Sequence, residues 1–428
     1  MKSLKIEGRA PVKGEITIGG NKNAVLPMIA AALLTSEEII LSNVPDIIDV
    51  KVMLEIVAHL GVDVSFSKHV LRLKAGNIKT TSIPQSWCSK VRTSILLAGP
   101  LAVRAGKAEL WPPGGDIIGR RRLDGHFYGL RTLGININAD GLTFKFSAHE
   151  RLKGRDLFLD EASVTATEHI LMTAVTAEGQ TIIRNAASEP HVTDLAELLI
   201  KMGANISGLG SNTLTIDGVE TLHGAEHSIQ GDHIEAGSFI AMGAATGGEL
   251  LIKGTVPRHY WMIRRVFERL GIVMELRSDC IFLPGGQKPR VKTDFGGHTP
   301  VISDGPWPQF PSDMMSCAIV TATQSKGSVL FFEKMFESRI YFVDRLIGMG
   351  ANAIVCDPHR VVINGPASLH GTSMSSPDIR AGMAMLIAAM CAKGASTIHA
   401  GDVIARGYEN ITEKVQSIGG RIVQINAD

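Results

Sequence analysis

One stretch of the sequence, WPPGGDIIGRRRLDGHF from Trp111 to Phe127, combines residue types that could transfer a proton beside an anion. Its two prolines and two glycines predict a turn, and Asp116 follows the second glycine. Three consecutive arginines, Arg120 to Arg122, come directly after. Guanidinium groups bind phosphate and carboxylate in bidentate fashion, so an acid beside them indicates a site for an anionic substrate.

Other candidate cations stand next to predicted apolar helices. Lys22 in GGNKNAVLP and Arg92 in KVRTS come at the start of such helices, while Arg380 in PDIRAG and Arg406 in IARGYE precede or follow them. A helix N-terminus offers free N–H groups and a positive dipole end, so a cation there would complete an anion site. For each residue alone, a solvated surface cation is the alternative. Asp313 in FPSDMM starts another apolar helix, where an aspartate suits the N-cap.

An internal repeat supplies the elements that must position these residues. A helix-like segment, a glycine and a strand-like run recur at intervals of 68 to 79 residues. Glycine at the end of a helix favours a left-handed C-cap. The six junction glycines are Gly61, Gly134, Gly203, Gly271, Gly350 and Gly419.

Each repeat also contains an earlier helix that is apolar nearly all round, followed by a β-rich run. This pattern predicts a βαβαββ unit of roughly 70 residues, in which the first helix is buried and the second half exposed. Six such units exceed one hydrophobic core, so three plus three is the natural division. The predicted fold class is α/β, with two similar domains of three repeats around buried helices.

Composition limits the classes of function. Apolar residues make up 45% of the 428 residues and the net charge is +1, which disfavours a disordered chain, a nucleic-acid binder and a membrane-surface protein. The longest apolar runs are shorter than a bilayer span. The five cysteines have no CxxC pairing, so no zinc site or disulfide framework is predicted. We expect a cytoplasmic protein with small-molecule substrates and no nucleic-acid partner. The sequence leaves its oligomeric state open.

The repeat and its motifs together resemble the enolpyruvyl transferases, and within that family the branch that acts on UDP-N-acetylglucosamine. The resemblance extends from residue 19 to past residue 410. Its motifs are GGNKNA, KVRTSILLAGPL, PPGGDIIGRRRLDGH, FPSDM, MFESRIYFVDRLIGMGA, SPDIRAG and ARGYENI.

This resemblance implies two domains, 21–230 and 1–20 with 231–428, and an active site in the cleft between them. It also implies transfer of the enolpyruvyl group of phosphoenolpyruvate to the 3-hydroxyl of the amino sugar, with release of phosphate, as the first committed step of peptidoglycan synthesis. The reaction needs cations, an acid and a base, but no metal or organic cofactor.

Family roles carry over to individual residues. Those implied for phosphoenolpyruvate are Lys22, Arg92, Arg121, Arg380 and Arg406, and Asp313 is the implied base beside the sugar hydroxyl. The residues implied for the UDP-sugar, besides Arg92 and Asp313, are Asn23, Leu123, Asp124, His126, Ser163, Val164, Met335 and Phe336. The resemblance also places Arg339 at an interdomain contact.

Asp116 stands where most of the family has a cysteine, and by resemblance it is the candidate general acid. An aspartate has a pKa of about 3.9, so holding a proton at neutral pH requires a rise of roughly three units, or about 4 kcal/mol. Desolvation and a nearby phosphate dianion could supply it. A turn residue without a catalytic role is the alternative. Because epoxide inhibitors of this family alkylate the thiol, we predict intrinsic resistance to fosfomycin.

Several departures leave the acceptor open. Glu161 replaces a frequent lysine, His233 a frequent arginine, and Arg122 and Gly125 differ from the commoner nucleotide-binding pattern. Asn21-Lys22-Asn23 replaces the Ser-Lys-Ser type expected of a shikimate-pathway enzyme. An enolpyruvyl transferase with another acceptor and a non-catalytic paralogue therefore remain as alternatives.

Overall fold

The computed structural model describes residues 2–115, 118–119 and 121–426. Its strands are β1 Lys2–Glu7, β2 Lys13–Thr17, β3 Glu38–Ser42, β4 Asp63–Ser67, β5 Val70–Lys74, β6 Ser82–Ile83, β7 Lys107–Leu110, β8 Asn136–Asp140, β9 Thr143–Ser147, β10 Asp156–Phe158, β11 Gln180–Arg184, β12 Asn205–Ser207, β13 Thr213–Asp217, β14 Ala225–Ser228, β15 Glu249–Lys253, β16 Glu275–Leu276, β17 Cys280–Leu283, β18 Val301–Ser303, β19 Gly327–Phe332, β20 Asn352–Asp357, β21 Arg360–Gly365, β22 Ser373–Ser375, β23 Ala395–His399 and β24 Arg421–Asn426. Its α-helices are α1 Lys22–Ala31, α2 Ile48–Leu60, α3 Gln85–Cys88, α4 Ala98–Ala105, α5 Asp124–Leu133, α6 Val164–Ala174, α7 Pro190–Lys201, α8 His233–Thr246, α9 Trp261–Arg269, α10 Ser312–Thr323, α11 Val343–Gly348, α12 Ile379–Cys391 and α13 Ile411–Ser417.

In the described ranges the strands form six four-stranded sheets, all with the same pattern of strand pairing. In each, one of the two edge strands pairs parallel with its neighbour, and the other two pairings are antiparallel. The sheet β6-β7-β9-β8 is an example. Three sheets take a strand from far along the chain: β14 pairs with β3, β2 pairs with β15, and β1 pairs with β23 and β24. The predicted α/β repeat is thus confirmed, with three repeats completed by distant segments.

Contacts divide the described residues into two compact units. Unit 1 holds those of 1–19, 117–120 and 231–428, and unit 2 those of 20–116 and 121–230. Each unit contains three of the six sheets. The predicted domain limits, 21–230 and 1–20 with 231–428, remain a prediction.

The apolar helices form the centre of each unit. In unit 1, α8, α10 and α12 pack against one another, and every residue of α12 from Ile379 to Met390 is buried. The second helix of a repeat is amphipathic, as predicted: α9 buries Ile263 and Phe267, while Trp261 is 64% exposed. In unit 2, α6 contacts both α1 and α4. No helix in the described ranges is long and apolar enough to cross a membrane.

The helix predicted at SILLAGPLA is shorter than its apolar run. Residues Arg92–Leu97 form a 3-10 turn, and α4 begins only at Ala98. Pro100 is the third residue of α4, where its missing N–H removes no hydrogen bond of the helix. The junction glycines behave as predicted: their φ values run from +87° at Gly271 and Gly419 to +112° at Gly134.

Candidate functional site

The beginning of α1 holds a buried cation in unit 2. The side chain of Asn21 caps the helix by accepting a hydrogen bond of 2.8 Å from the backbone N–H of Asn23. Lys22, the first helical residue, has a side chain only 11% exposed, and its Nζ lies 2.7 Å from Oδ2 of Asp49 on α2. A buried ammonium held by one carboxylate has a fixed direction, as a binding group for an anion requires. Asn23 itself is half-buried.

Arg92 lies at the start of the 3-10 turn that leads into α4. Its Nη2 donates hydrogen bonds to the carbonyl oxygens of Arg121 (2.9 Å) and Arg122 (3.2 Å). Burial, and secondly the charge of Arg121, lower the pKa of Arg92 to about 10. Arg92 therefore stays charged at neutral pH beside a second guanidinium group, and an anion bound there would relieve their repulsion.

The segment that precedes Asp116 is fixed by its two glycines. The N–H of Gly114 donates to the carbonyl oxygen of Cys88 at 2.8 Å, and a Cβ on Gly114 would overlap the carbonyl oxygen of Ser89. Gly115 has a φ of +112°, which favours glycine. Asp116 itself lies outside the described residues, so its role as general acid remains a prediction.

The segments predicted to contact the nucleotide lie at the beginnings of α5 and α6. Leu123 precedes α5 and is half-buried, and Asp124 is the first residue of α5 and is exposed. Ser163 caps α6 by accepting a hydrogen bond of 3.4 Å from Ala166, and Val164 is the first residue of α6. The two helices pack closely, because a Cβ on Gly129 of α5 would overlap the side chain of Ile170 on α6.

His126, which is also predicted to contact the nucleotide, lies inside unit 2 on α5. It is 1% exposed, and both ring nitrogens are bonded within the protein, Nδ1 to His169 (2.9 Å) and Nε2 to Thr165 (3.1 Å). Both ring nitrogens of His126 are therefore occupied by contacts within the protein, and its role as a nucleotide contact remains a prediction.

A carboxylate held by two arginines forms the centre of the candidate site in unit 1. Oδ1 of Asp313 lies 2.8 Å from Nη2 of Arg339, and its Oδ2 lies 2.8 Å from Nη2 of Arg380. The side chain of Asp313 is 29% exposed, whereas those of Arg339 and Arg380 are 3% and 8% exposed. Asp313 is not the N-cap suggested by its position, because α10 begins at Ser312 and is preceded by Pro311. Its carboxylate is oriented by the arginines and remains accessible to a hydroxyl group.

Arg380 is held among buried polar groups at the beginning of α12. Its backbone N–H donates to the capping side chain of Asp378 (2.9 Å), and its Nη1 donates to the hydroxyl of Tyr408 (3.2 Å). Burial opposes its charge, but Asp313, followed by Tyr408 and Asp232, raises the pKa of Arg380 well above the usual value. Arg380 is therefore a permanent cation in a fixed position.

The remaining predicted residues of unit 1 lie in two short segments. Met335 is 38% exposed and Phe336 is half-buried, with the guanidinium carbon of Arg339 5.4 Å from the centre of the Phe336 ring. Arg406 ends the 3-10 turn Gly401–Arg406 and is half-buried.

His233 is the first residue of α8. Burial, and secondly His259, lower the pKa of His233 to about 3, so its ring is neutral.

Sequence reasoning missed the partners of these cations. Asp49 has a recognisable signal, because it lies four residues before Met53 on the apolar face of α2, where a charged residue is unusual unless paired. Tyr408 is fully buried and lies within the motif ARGYENI, but no role is predicted for it from the sequence.

One group of side chains in the described ranges has a spacing suited to a metal ion. Ligand atoms of Asp194, Glu197 and His227 lie within 4.8 Å of one another. Lys201 Nζ lies 3.1 Å from Nδ1 of His227, and Nε2 of His227 lies 2.8 Å from Asp194. The group is therefore paired internally, and the neighbouring ammonium disfavours a second cation.

Comparisons with known proteins identify the family. Residues 6–415 match the family of EPSP synthase (3-phosphoshikimate 1-carboxyvinyltransferase). The chain is 51% identical over 427 residues to the UDP-N-acetylglucosamine 1-carboxyvinyltransferase of Borreliella burgdorferi, which covers 100% of both chains. Identity is 54% over 418 residues to the protein of the same name from Treponema denticola (97% of this chain, 98% of the relative), and 50% over 422 residues to that from Bradyrhizobium diazoefficiens (98% and 97%).

Solved structures show the same fold. The enolpyruvyl transferase NikO from Streptomyces tendae has a TM-score of 0.88 at 23% identity, and EPSP synthase from Acinetobacter baumannii has a TM-score of 0.76 at 18% identity; each alignment covers 100% of both chains. These likenesses concern the fold alone. The identities near 50% over the whole length go further, and they show that the chain belongs to the enolpyruvyl transferases, in the branch of the UDP-N-acetylglucosamine 1-carboxyvinyltransferases.

Proposed function

We propose that this enzyme transfers the enolpyruvyl group of phosphoenolpyruvate to the 3-hydroxyl of UDP-N-acetylglucosamine and releases phosphate. This is the first committed step of peptidoglycan synthesis. The observation that carries the proposal is the identity of about half of all residues, over the whole length, with relatives of that name. The motif Asn21-Lys22-Asn23, in place of the Ser-Lys-Ser type, agrees with this acceptor and not with shikimate.

The cations supply the sites for the two anionic groups of phosphoenolpyruvate. We assign Lys22, Arg92, Arg121, Arg380 and Arg406 to its phosphate and carboxylate. The buried pair of Lys22 and Asp49 and the fixed direction of Arg380 support this assignment, because binding groups that are already oriented lose little entropy when a ligand binds.

Asp313 is the proposed general base. Its carboxylate takes the proton of the sugar hydroxyl while the oxygen forms a bond to C2 of phosphoenolpyruvate, and a proton from an acid is added to C3. Elimination then breaks the bond from C2 to the phosphate oxygen and removes a proton from C3, which restores the double bond. Arg339 and Arg380 hold both oxygens of Asp313 at 2.8 Å, so the carboxylate presents one fixed edge to the hydroxyl.

Asp116 is the proposed acid for C3, on the strength of its match to the family's loop cysteine. The residues proposed for the UDP-sugar are Asn23, Arg92, Leu123, Asp124, Ser163, Val164, Asp313, Met335 and Phe336.

Because phosphoenolpyruvate and nucleotide sugars are metabolites of the cytoplasm, we propose that compartment for the enzyme.

Phosphate release from phosphoenolpyruvate, with and without UDP-N-acetylglucosamine, tests the proposal directly. We expect release that depends on the sugar nucleotide. A protein that binds phosphoenolpyruvate but releases phosphate only with a different acceptor would overturn the proposed acceptor. A protein that binds neither compound would overturn the enzymatic function.

A further inference from the structure

A series of three hydrogen bonds links α4, α5 and α6 inside unit 2. The backbone N–H of Gly99, near the beginning of α4, donates to Nε2 of His169 at 2.8 Å. Nδ1 of His169 lies 2.9 Å from Nδ1 of His126, and Nε2 of His126 lies 3.1 Å from Oγ1 of Thr165. Both rings are buried.

The positions of the ring protons follow from the first of these bonds. A backbone N–H can only donate, so Nε2 of His169 carries no proton, and the proton of this neutral ring is on Nδ1. That N–H donates to Nδ1 of His126, which leaves the proton of His126 on Nε2. Burial lowers the pKa of His169 to about 3, and burial lowers the pKa of His126 well below its usual value. Both rings are therefore neutral.

Thr165 is the end of this series and lies beside the proposed nucleotide site. It is the second residue of α6, directly after Ser163 and Val164, and is half-buried. Its oxygen accepts a hydrogen bond from Nε2–H of His126. Among the described residues His126 is the hydrogen-bond partner of Thr165, and because the oxygen accepts from the ring, the proton of the hydroxyl is directed away from it. Thr165 thus presents a donor, next to backbone N–H groups of the first turn that also lack a partner within the helix.

We propose that Thr165 is a further substrate-binding residue, whose hydroxyl donates a hydrogen bond to a phosphoryl oxygen of the sugar nucleotide, and that His126 and His169 are positioning residues that fix this donation. The inference rests on the proposed function for the identity of the nucleotide. A phosphoryl oxygen fits because it only accepts hydrogen bonds, and the Thr165 hydroxyl and the N–H groups of the first turn are donors. The positive end of the α6 dipole favours the same charge.

Steady-state kinetics of three variants test the role of Thr165. Thr165→Val keeps the shape of the side chain but removes the hydroxyl, and Thr165→Ser restores it. Thr132→Val is the matched control, because the Thr132 hydroxyl donates only to the carbonyl oxygen of Tyr128 within α5. We expect Thr165→Val to raise the KM for UDP-N-acetylglucosamine roughly tenfold or more, the size typical of a lost hydrogen bond to a charged group. The KM for phosphoenolpyruvate and kcat should change less than about twofold, and Thr165→Ser and Thr132→Val should resemble the wild type.

An unchanged KM for the sugar nucleotide in Thr165→Val would overturn the inference, as would an equal rise in both KM values. Binding of UDP alone, measured by calorimetry, separates this failure from failure of the proposed function. If the wild type binds UDP and Thr165→Val binds it roughly tenfold more weakly, the inference stands even when another sugar nucleotide is the acceptor. Equal UDP binding by the two proteins, or none by the wild type, contradicts it.

The histidine tautomers provide a measurement that does not depend on activity. In protein labelled with 15N-histidine, nuclear magnetic resonance should show His169 protonated at Nδ1 and His126 at Nε2. Neither ring should titrate between pH 5 and 8. The opposite tautomer of His126 would make Thr165 the donor to the ring, and the inference would then be wrong.

Discussion

At the scale of single residues, the most informative contact is the pairing of Asp313 with two arginines. The partners are 26 and 67 residues away in the sequence, and each holds a different carboxylate oxygen. An aspartate used only as a helix cap would accept hydrogen bonds from its own first turn, as Asp232 and Asp378 do. Asp313 instead faces guanidinium groups, an arrangement that agrees with its proposed role as the base.

Replacing Asp313 tests its proposed role as the base. Asp313→Asn keeps the size of the side chain but can no longer take up the hydroxyl proton, so we expect kcat to fall about 100- to 10,000-fold. Phosphate release measures this loss, and circular dichroism checks the fold. Asp344→Asn is the matched control, because Asp344 is an exposed aspartate in the first turn of α11. Undiminished turnover in Asp313→Asn would show that another group acts as the base.

The residue at position 116 should determine sensitivity to fosfomycin. A carboxylate is a far poorer nucleophile toward an epoxide than a thiolate, so we expect the wild type to keep its activity in the inhibitor's presence. Asp116→Cys should be inactivated and should gain the mass of one inhibitor molecule. Mass spectrometry of both proteins after incubation is the measurement. Stoichiometric labelling of Asp116 in the wild type would contradict the prediction.

Motifs in the sequence predicted the cations of the candidate site but not their partners. Lys22, Arg92 and Arg380 are recognisable because they stand beside apolar helices in repeated positions. Their contacts to Asp49, to the carbonyl oxygen of Arg121 and to Tyr408 depend on how separate elements pack. No spacing within one element encodes such packing.

At the scale of elements, a buried carboxyl group shapes the segment that carries Met335 and Phe336. Glu333 Oε1 accepts hydrogen bonds from the Ser312 hydroxyl (2.9 Å) and from the N–H groups of Met335 (3.3 Å) and Phe336 (3.1 Å). Burial, and secondly a hydrogen bond with Asp304, raise the pKa of Glu333 to about 9. The segment is thus held by a carboxyl group that is protonated at neutral pH.

This protonation makes the stability of unit 1 depend on pH. Unfolded Glu333 releases its proton near pH 4.5 and folded Glu333 near pH 9, so the folded state binds more protons between these values. The free energy of unfolding therefore falls as pH rises through this window, by at most about 1.4 kcal/mol per pH unit for one proton. Glu333→Gln stays neutral and keeps an acceptor for the same N–H groups, so the fall should be smaller in this variant.

Urea unfolding between pH 5 and 9 measures the difference between the wild type and Glu333→Gln. Glu413→Gln, at an exposed position on α13, is the control and should leave the slope unchanged. Equal slopes in the wild type and Glu333→Gln would show that Glu333 is ionised in the folded protein.

Periodicity predicted most elements, and its failures have physical causes. The six junction glycines adopt the left-handed conformation because a helix ends at each of them. The run SILLAGPLA is apolar throughout, but α4 occupies only its second half, since hydropathy does not distinguish a 3-10 turn from an α-helix. Three strands, β1, β2 and β14, complete sheets from far along the chain, and a search for local repeats could not pair them.

At the scale of the whole molecule, each unit has its own hydrophobic core. The buried apolar residues of unit 1 form one cluster around α8, α10 and α12, and those of unit 2 form another around α1, α4 and α6, with no member in common. A destabilising substitution in one core should therefore lower the stability of that unit and not of the other.

Truncation of one core residue in each unit tests this independence. Leu386 on α12 and Leu171 on α6 are both fully buried, and Leu→Ala at such sites costs about 2–5 kcal/mol. In hydrogen-exchange mass spectrometry, Leu386→Ala should lower the protection of unit 1 peptides and leave those of unit 2 unchanged. Leu171→Ala should do the reverse. A loss shared equally by both units in either variant would indicate a single cooperative structure.

The position of β1 and β2 in unit 1 has a consequence for synthesis on the ribosome. These strands are translated first, but β2 pairs with β15, and β1 pairs with β23 and β24 at the other end of the chain. At roughly 5–20 residues per second, about 20–80 s separate the translation of β1 from that of β24. Unit 2 lies between these segments and can complete its core during elongation. The strand made first is therefore fixed in place last.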